Sequence, residues 1–167
     1  ESQNLAAVEK DFAAAYNEIV ALSVKMQGAS ADDAAALKKE FGQKYISYYR
    51  SRVKYVMENS FSLTAVPVFY QNLGENLPVF SQSTDAIHFR NVADSLETVY
   101  PESKYVKSLR KEAERRFNYM ELQQQIRGAA DYILSRISYR PTIGMVLGSG
   151  LGDFADTLED AVRLAQS

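Results

Sequence analysis

The sequence predicts a mostly α-helical fold, and two observations carry that prediction. Apolar residues recur three and four positions apart over most of the 167-residue chain, which is the spacing of one face of a helix. The breaks between these stretches fall at glycine, proline and serine, which are residues that end or begin helices. We therefore expect an antiparallel helical hairpin, a tetratricopeptide-like helix pair and a short C-terminal strand–turn–helix appendage.

The first two helices are predicted to form the hairpin. The apolar stripe of the first, over 2–27, consists of Leu5, Val8, Phe12, Ala15, Ile19, Leu22 and Met26. Gly28 suits the end of this helix, and Ser30 suits the start of a second one that runs to about Asn59. Because the link is so short, the two helices must run in opposite directions.

Three further helices follow in the prediction. A short one covers 64–73, with Pro67 in its first turn. A fourth begins at Ser83 or Thr84 and stops at Tyr100-Pro101. Six residues lie at the centres of the stripes and are expected to be largely buried: Phe12, Ile19, Phe41, Tyr48, Leu96 and Leu109.

The fifth helix, which starts after Ser103, carries two apolar stripes that differ in phase. Its first stripe consists of Val106, Leu109, Ala113, Phe117 and Met120; its second consists of Tyr119, Leu122, Ile126, Ala129 or Ala130, Ile133 and Ile137. A phase shift of this kind indicates either a rotated packing partner or a junction between segments of different origin.

Composition excludes several classes of function. With 19 basic and 21 acidic residues the net charge is −2, so we expect no nucleic-acid partner. The absence of cysteine excludes thiol chemistry and cysteine-ligated zinc within these residues. No apolar run is long enough for a membrane span, and we expect neither a metal nor a cofactor.

Three groups of residues could carry chemistry, but each has a simpler explanation. His88 is the only histidine and has no partners at ligand spacing, so it reads as a helix-surface or partly packed residue. The mixed charges over 110–116 favour a solvated helix face over a surface for an acidic partner. The tyrosines near the end of the second helix, at 45, 48, 49 and 55, favour packing against later helices over an aromatic ligand groove.

The segment 141–156 differs from the rest because it reads as a strand over 142–147, a glycine-rich turn and the start of a helix. Bare backbone N–H groups and a helix N-terminus suit a phosphate. Gly148, Ser149 and Gly150 are therefore the candidate phosphate-binding residues. The turn lacks the Gly-Lys-Ser/Thr of a P-loop and the spacing of a dinucleotide fingerprint, and its alternative is a flexible turn.

The C-terminal part of the chain contains four recognisable runs: Ala130-Asp131-Tyr132-Ile133, Ile143-Gly144-Met145-Val146-Leu147-Gly148-Ser149-Gly150-Leu151-Gly152, Ala155-Asp156 and Leu158-Glu159. With these runs, residues 120–164 resemble the start of trimeric-type purine nucleoside phosphorylases. This resemblance implies that Ser149 binds the attacking phosphate. The family's other phosphate ligands, its purine-recognising acid and most of its sheet lie further downstream, so we expect no catalytic residue and no activity in this chain alone.

Three short motifs stand out in residues 1–120: Tyr55-Val56-Met57-Glu58-Asn59-Ser60, Leu77-Pro78-Val79-Phe80 and Tyr100-Pro101-Glu102-Ser103-Lys104-Tyr105-Val106-Lys107-Ser108-Leu109. With these motifs, residues 1–120 resemble the helical region of cell-envelope thiol-disulfide oxidoreductase lipoproteins, which have a thioredoxin-like domain after their helices. This resemblance implies a non-catalytic accessory region in the cell envelope or periplasm, with a protein partner or self-association.

Taken together, the two resemblances predict a helical domain over 1–125 and a phosphorylase-like fragment over 126–167. The expected function is that of a helical accessory or interaction domain of an envelope redox protein. The alternatives are a cytoplasmic phosphorylase fragment and a phosphate-binding appendage without catalysis.

Overall fold

The computed structural model describes residues 2–144, 154 and 157–159, and helices dominate this part of the chain. The helices are α1 Ser2–Gln27, α2 Ala31–Glu58, α3 Ala65–Val68, α4 Ala86–Val99 and α5 Lys104–Arg136, with a 3-10 turn at Ser83–Asp85 before α4. The prediction of a mostly α fold is confirmed. The chain divides into two compact units, Glu1–Met120 and Glu121–Ser167.

Helices α1 and α2 pack against each other in opposite directions. Lys44 on α2 forms an ion pair of 3.0 Å with Glu18, while Arg52, further along α2, reaches back to Asp11 at 3.5 Å. The later residue of α2 contacts the earlier residue of α1, so the two helices are antiparallel. The side chain of Ser30 accepts a hydrogen bond from the backbone N–H three residues later and so caps α2, as its sequence position predicts.

The second pair, α4 and α5, is also antiparallel. Arg110 on α5 binds Asp94 and Glu97 near the end of α4, and the Arg90 guanidinium near the start of α4 lies 4.6 Å from the ring centre of Phe117. The turn between these helices follows Tyr100-Pro101, where the sequence predicts it.

The hydrophobic core lies where α4 and the first half of α5 meet the second half of α2 and the segment between α2 and α4. Phe80, Phe89, Leu96 and Leu109 are completely buried there. Ile19 and Tyr48 are buried too, as predicted.

Phe12 and Phe41, expected to be largely buried, are only half-buried against the edge of this core. Both lie where α1 packs mainly on α2. A two-helix contact leaves one side of each apolar stripe open to solvent, because no third helix among the described elements covers it.

The predicted helix over 64–73 is much shorter in the structure. Helix α3 ends at Val68, and turns and an isolated bridge between Asn72 and Pro78 follow. The Asn72 side chain accepts the Leu77 N–H at 2.9 Å, and the Leu73 N–H donates to the Leu77 carbonyl oxygen at 2.9 Å. These local bonds occupy groups that a helix would need, which is how asparagine competes with helix formation.

The predicted strand over 142–147 is not supported. The part of it that the structure describes, residues 142–144, is a bend and irregular backbone, and a lone strand has no neighbour with which to form a ladder. The rest of that strand, and the turn after it, lie outside the described residues. The predicted division into 1–125 and 126–167 stays a prediction, because compactness does not reveal the origin of a segment.

Candidate functional site

Tyrosines of α2 hold the irregular segment between α2 and α4 in place. Each of four tyrosine hydroxyl groups donates one hydrogen bond to this segment. Tyr45 donates to the Pro78 carbonyl oxygen at 2.9 Å, and Tyr48 donates to Gln71 Oε1 at 2.9 Å. Tyr49 donates to Asp85 Oδ1 at 2.6 Å, and Tyr55 donates to Thr64 Oγ1 at 3.0 Å. The tyrosines therefore pack, as the sequence favours. Their hydroxyl groups bind acceptors elsewhere in the same chain.

The most deeply buried of these acceptors is Asp85, which precedes α4. One carboxylate oxygen accepts from Tyr49 and the other accepts the backbone N–H of Gln82 at 2.8 Å. Burial, followed by the hydrogen bond to Asp85, raises the pKa of Tyr49 above its usual value. Burial likewise raises the pKa of Tyr48 to about 12, against the opposing charge of Arg52. Both tyrosines therefore stay neutral at physiological pH and act as hydrogen-bond donors.

This bracing shapes an apolar groove of about 450 Å³ between the α3 region and the start of α5, which we call the α3–α5 groove. Its lining residues are Leu63, Val66, Pro67, Tyr70, Tyr105 and Ser108. The bond from Tyr55 to Thr64 holds the backbone beside Leu63. Tyr70 and Tyr105 stand at the rim, with 54% and 59% of their surfaces exposed.

The side chains that line the α3–α5 groove are apolar or carry hydroxyl groups. No histidine, carboxylate, lysine or arginine lies among its lining residues, so its side chains offer only the hydroxyls of Tyr70, Tyr105 and Ser108. Burial raises the pKa of Tyr70, which keeps that hydroxyl neutral as well. An apolar floor with a few hydroxyl groups suits an apolar side chain that carries neighbouring amide groups.

A second, polar pocket of about 330 Å³ lies between α1 and α2. Its most buried charged member is Arg52, whose guanidinium lies 4.8 Å from the ring centre of Tyr48 and whose Nη2 contacts Asp11 at 3.5 Å. Arg52 Nη1 is buried without a hydrogen-bond partner. Lys44 and Glu18 form the other charged pair of this pocket, so its charges offset one another.

A third, smaller depression of about 270 Å³ is bordered by Arg115 and Arg116 of α5. Glu112 accepts hydrogen bonds from both, at 2.7 and 2.6 Å, and Arg116 Nη1 also donates to the Phe80 carbonyl oxygen at 3.0 Å. The bonds from Arg115 first, and then from Arg116, lower the pKa of Glu112 to about 2. These charges form ion pairs on the helix face, as the sequence favours over an acidic-partner surface.

Gly148, Ser149 and Gly150 lie outside the described residues, so their phosphate site stays a prediction. His88 is half-buried on α4, with Nδ1 lacking a hydrogen-bond partner.

The described part of the chain holds neither a metal-binding cluster nor a helix that could span a membrane. Within that part of the chain, no three His, Asp or Glu side chains cluster in a way that could hold a metal ion. None of the helices described there is long and apolar enough to cross a membrane.

Comparisons with protein-family models, with curated proteins and with solved structures find no significant match for this chain.

The α3–α5 groove could not be predicted from the sequence, because Leu63, Pro67 and Tyr70 lie in an irregular segment without periodicity. The one signal that could have indicated it is the tyrosine at 105, which falls off the apolar stripe of α5 beside the Tyr-Pro turn.

Proposed function

We propose that residues 1–120 form a non-catalytic interaction domain that binds an apolar segment of a partner polypeptide in the α3–α5 groove. The observation that carries this proposal is the chemistry of the groove, whose lining is apolar except for hydroxyl groups. Such a lining favours burial of apolar surface and offers no acid–base pair for a reaction.

A polypeptide suits the groove better than a small charged ligand. Exposed tyrosines at the rim, Tyr70 and Tyr105, are the residue type enriched in protein interfaces. Their hydroxyls and that of Ser108 are placed to bind amide groups that flank an apolar anchor.

The resemblance of residues 1–120 supports a specific context for this domain. We propose that it is the helical accessory region of a cell-envelope thiol-disulfide oxidoreductase and that α4 and α5 form a tetratricopeptide-like pair. The chain contains no cysteine, so this part of the protein would bind a partner while the redox step takes place elsewhere.

A peptide-binding experiment tests the groove. A library of ten-residue random peptides would be selected against the chain, and the best peptide titrated by calorimetry into the wild type and Ser108→Arg. Ser108 is exposed, so the arginine can stay solvated while it obstructs the groove. The matched control is Ser135→Arg, the same exchange at an exposed position of α5 outside the groove.

The expected result is selection of peptides with leucine, isoleucine or aromatic anchors, and at least about tenfold weaker binding to Ser108→Arg alone. Selection of only charged peptides, or equal binding to all three proteins, would contradict the proposal.

The alternative proposal is a purine nucleoside phosphorylase fragment or a phosphate-binding appendage, and it rests on Gly148, Ser149 and Gly150. Calorimetry with inorganic phosphate, and assays of inosine phosphorolysis, distinguish these from the interaction domain. Turnover of inosine that Ser149→Ala abolishes would establish the enzyme. Phosphate binding without turnover, lost in the same variant, would establish the appendage. We expect neither.

A further inference from the structure

The part of α5 after Met120 carries an apolar seam with heptad spacing. Leu122, Ile126, Ala129 and Ile133 are separated by four, three and four residues, so they alternate between the d and a positions of a heptad. All four lie within α5, which is continuous to Arg136. We call these residues the α5 seam.

The α5 seam faces solvent in the structure. Leu122 is 51% exposed, Ile126 54% and Ile133 42%, in contrast to the buried apolar residues of α5 before residue 121. Three large aliphatic side chains exposed along one line of a helix form the kind of surface that soluble proteins cover with a partner.

The charges around the α5 seam are arranged for a helical partner. Between 121 and 135 the charged residues are Glu121, Arg127 and Asp131, which occupy the c, b and f positions away from the seam. The positions that flank the seam, e and g, hold Gln123, Gln125, Ala130 and Tyr132. None of these carries a charge at neutral pH, so two identical helices can pair without like-charge repulsion.

We propose that the α5 seam forms a parallel two-stranded coiled coil with a second copy of this chain. The core composition supports the copy number. Isoleucine occupies both a positions, 126 and 133, and the d positions hold Leu122 and Ala129. In parallel coiled coils, isoleucine at a with leucine at d favours two strands. Pairing identical registers places each seam residue beside its own counterpart, which buries the exposed aliphatic side chains.

The end of the helix limits how far the pair extends. Arg136 falls on the next d position, and its guanidinium lies 5.2 Å from the ring centre of Tyr132. The coiled coil therefore ends near Ile133 and spans about two heptads, a length that gives weak association. We expect dimerisation at micromolar concentrations and above.

Sedimentation equilibrium tests the association, with matched variants of the whole chain. Ile126→Glu places a charge in the seam, whereas Gln124→Glu places the same charge at the outward-facing f position two residues away. Between about 5 and about 500 µM the wild type and Gln124→Glu should dimerise, and Ile126→Glu should associate at least about tenfold more weakly. Circular dichroism checks that all three proteins keep the same helix content.

Disulfide cross-linking tests the direction, because the natural chain has no cysteine. Under mild oxidation Leu122→Cys should form covalent dimers, since a parallel pair places residue 122 beside its counterpart, and Gln124→Cys should not. In an antiparallel pair a positions face d positions, so residue 122 would lie near residue 133 of the other copy. The two copies of residue 122 would then be about 16 Å apart along the helix axis. A wild type that stays monomeric throughout, association that Ile126→Glu leaves unchanged, or dimers in which Leu122→Cys does not cross-link would each overturn the proposal.

Discussion

The two halves of α5 share the helical spacing of their apolar residues and differ in environment. In the first half, up to Met120, the stripe residues Val106, Leu109 and Ala113 are buried. In the second half, Leu122 and Ile126 repeat the helical spacing and are exposed. An apolar stripe therefore indicates that a helix has a partner, and it does not reveal whether that partner belongs to the same chain.

The first half is covered because α4 packs against it and electrostatic contacts fix the register. Arg110 binds two carboxylates of α4, and the Arg116 guanidinium lies 4.3 Å from the ring centre of Phe89. Arg110 also lowers the pKa of Glu97 through its hydrogen bond. These contacts belong to the compact unit that ends at Met120.

The largest expected effect comes from deleting a side chain in the core that covers the first half. Phe89 is completely buried and touches the rings of Phe69 and Phe80. Phe89→Ala should lower the free energy of unfolding by about 3–5 kcal/mol, because it removes apolar burial and leaves a cavity. Denaturant melts measure this loss.

Leu122→Ala provides the contrasting measurement in the second half. At protein concentrations below dimerisation, an exposed leucine should change the free energy of unfolding by less than about 0.5 kcal/mol. A loss similar to that of Phe89→Ala would mean that this chain's own core already covers the α5 seam, and the contrast between the halves would fail.

A smaller effect is expected from the hydroxyl groups that brace the segment beside the first half. Tyr49→Phe removes the donor to the buried Asp85 and should cost about 1–3 kcal/mol, since one carboxylate oxygen loses its partner. Tyr132→Phe, in the second half of α5, is the control and should be near neutral because Tyr132 is exposed. Equal costs in thermal melts would show that the bracing bond has no special role.

The smallest effect concerns acid stability. Because the pKa of Glu112 is lowered from 4.5 to about 2 in the folded chain, its carboxylate stabilises the fold above about pH 4.5. This contribution, about 1 kcal/mol or less at a partly exposed pair, disappears as the pH falls from 4.5 through 2.

Melts of the wild type and Glu112→Gln between pH 6 and pH 2 measure that contribution. The variant should lose less stability with falling pH, and Arg115→Gln should lie between the two because it removes the strongest contributor to the lowered pKa. If the unfolding free energy of Glu112→Gln falls with pH as steeply as that of the wild type, these ion pairs do not stabilise the first half.

Much of the fold follows from local sequence signals. Ser30 caps α2, Tyr100-Pro101 stops α4, and the periodic residues Leu96 and Leu109 are buried as predicted. Caps and periodicity depend on neighbours within a few residues, so one sequence is enough to read them.

The irregular segment between α2 and α4 could not be read in the same way. Its conformation depends on bonds from distant tyrosines, such as the one from Tyr48 to Gln71, and on the competing side chain of Asn72. The α3–α5 groove, which includes Leu63 and Pro67, depends on that conformation and was missed for the same reason. Phe41 is only half-buried although it lies at the centre of an apolar stripe. A prediction from the stripe alone therefore overestimates burial where a single neighbouring helix packs on that stripe.

Amide hydrogen exchange along α5 at two protein concentrations distinguishes coverage by this chain's own core from coverage by a second copy. We expect slow exchange over 106–120 at both concentrations, because this chain's own core covers that half. Over 122–136 we expect rapid exchange in the dilute sample and slower exchange in the concentrated one, as a second copy covers the α5 seam. Exchange over 122–136 that is equally slow at both concentrations, or equally fast at both, would contradict this expectation.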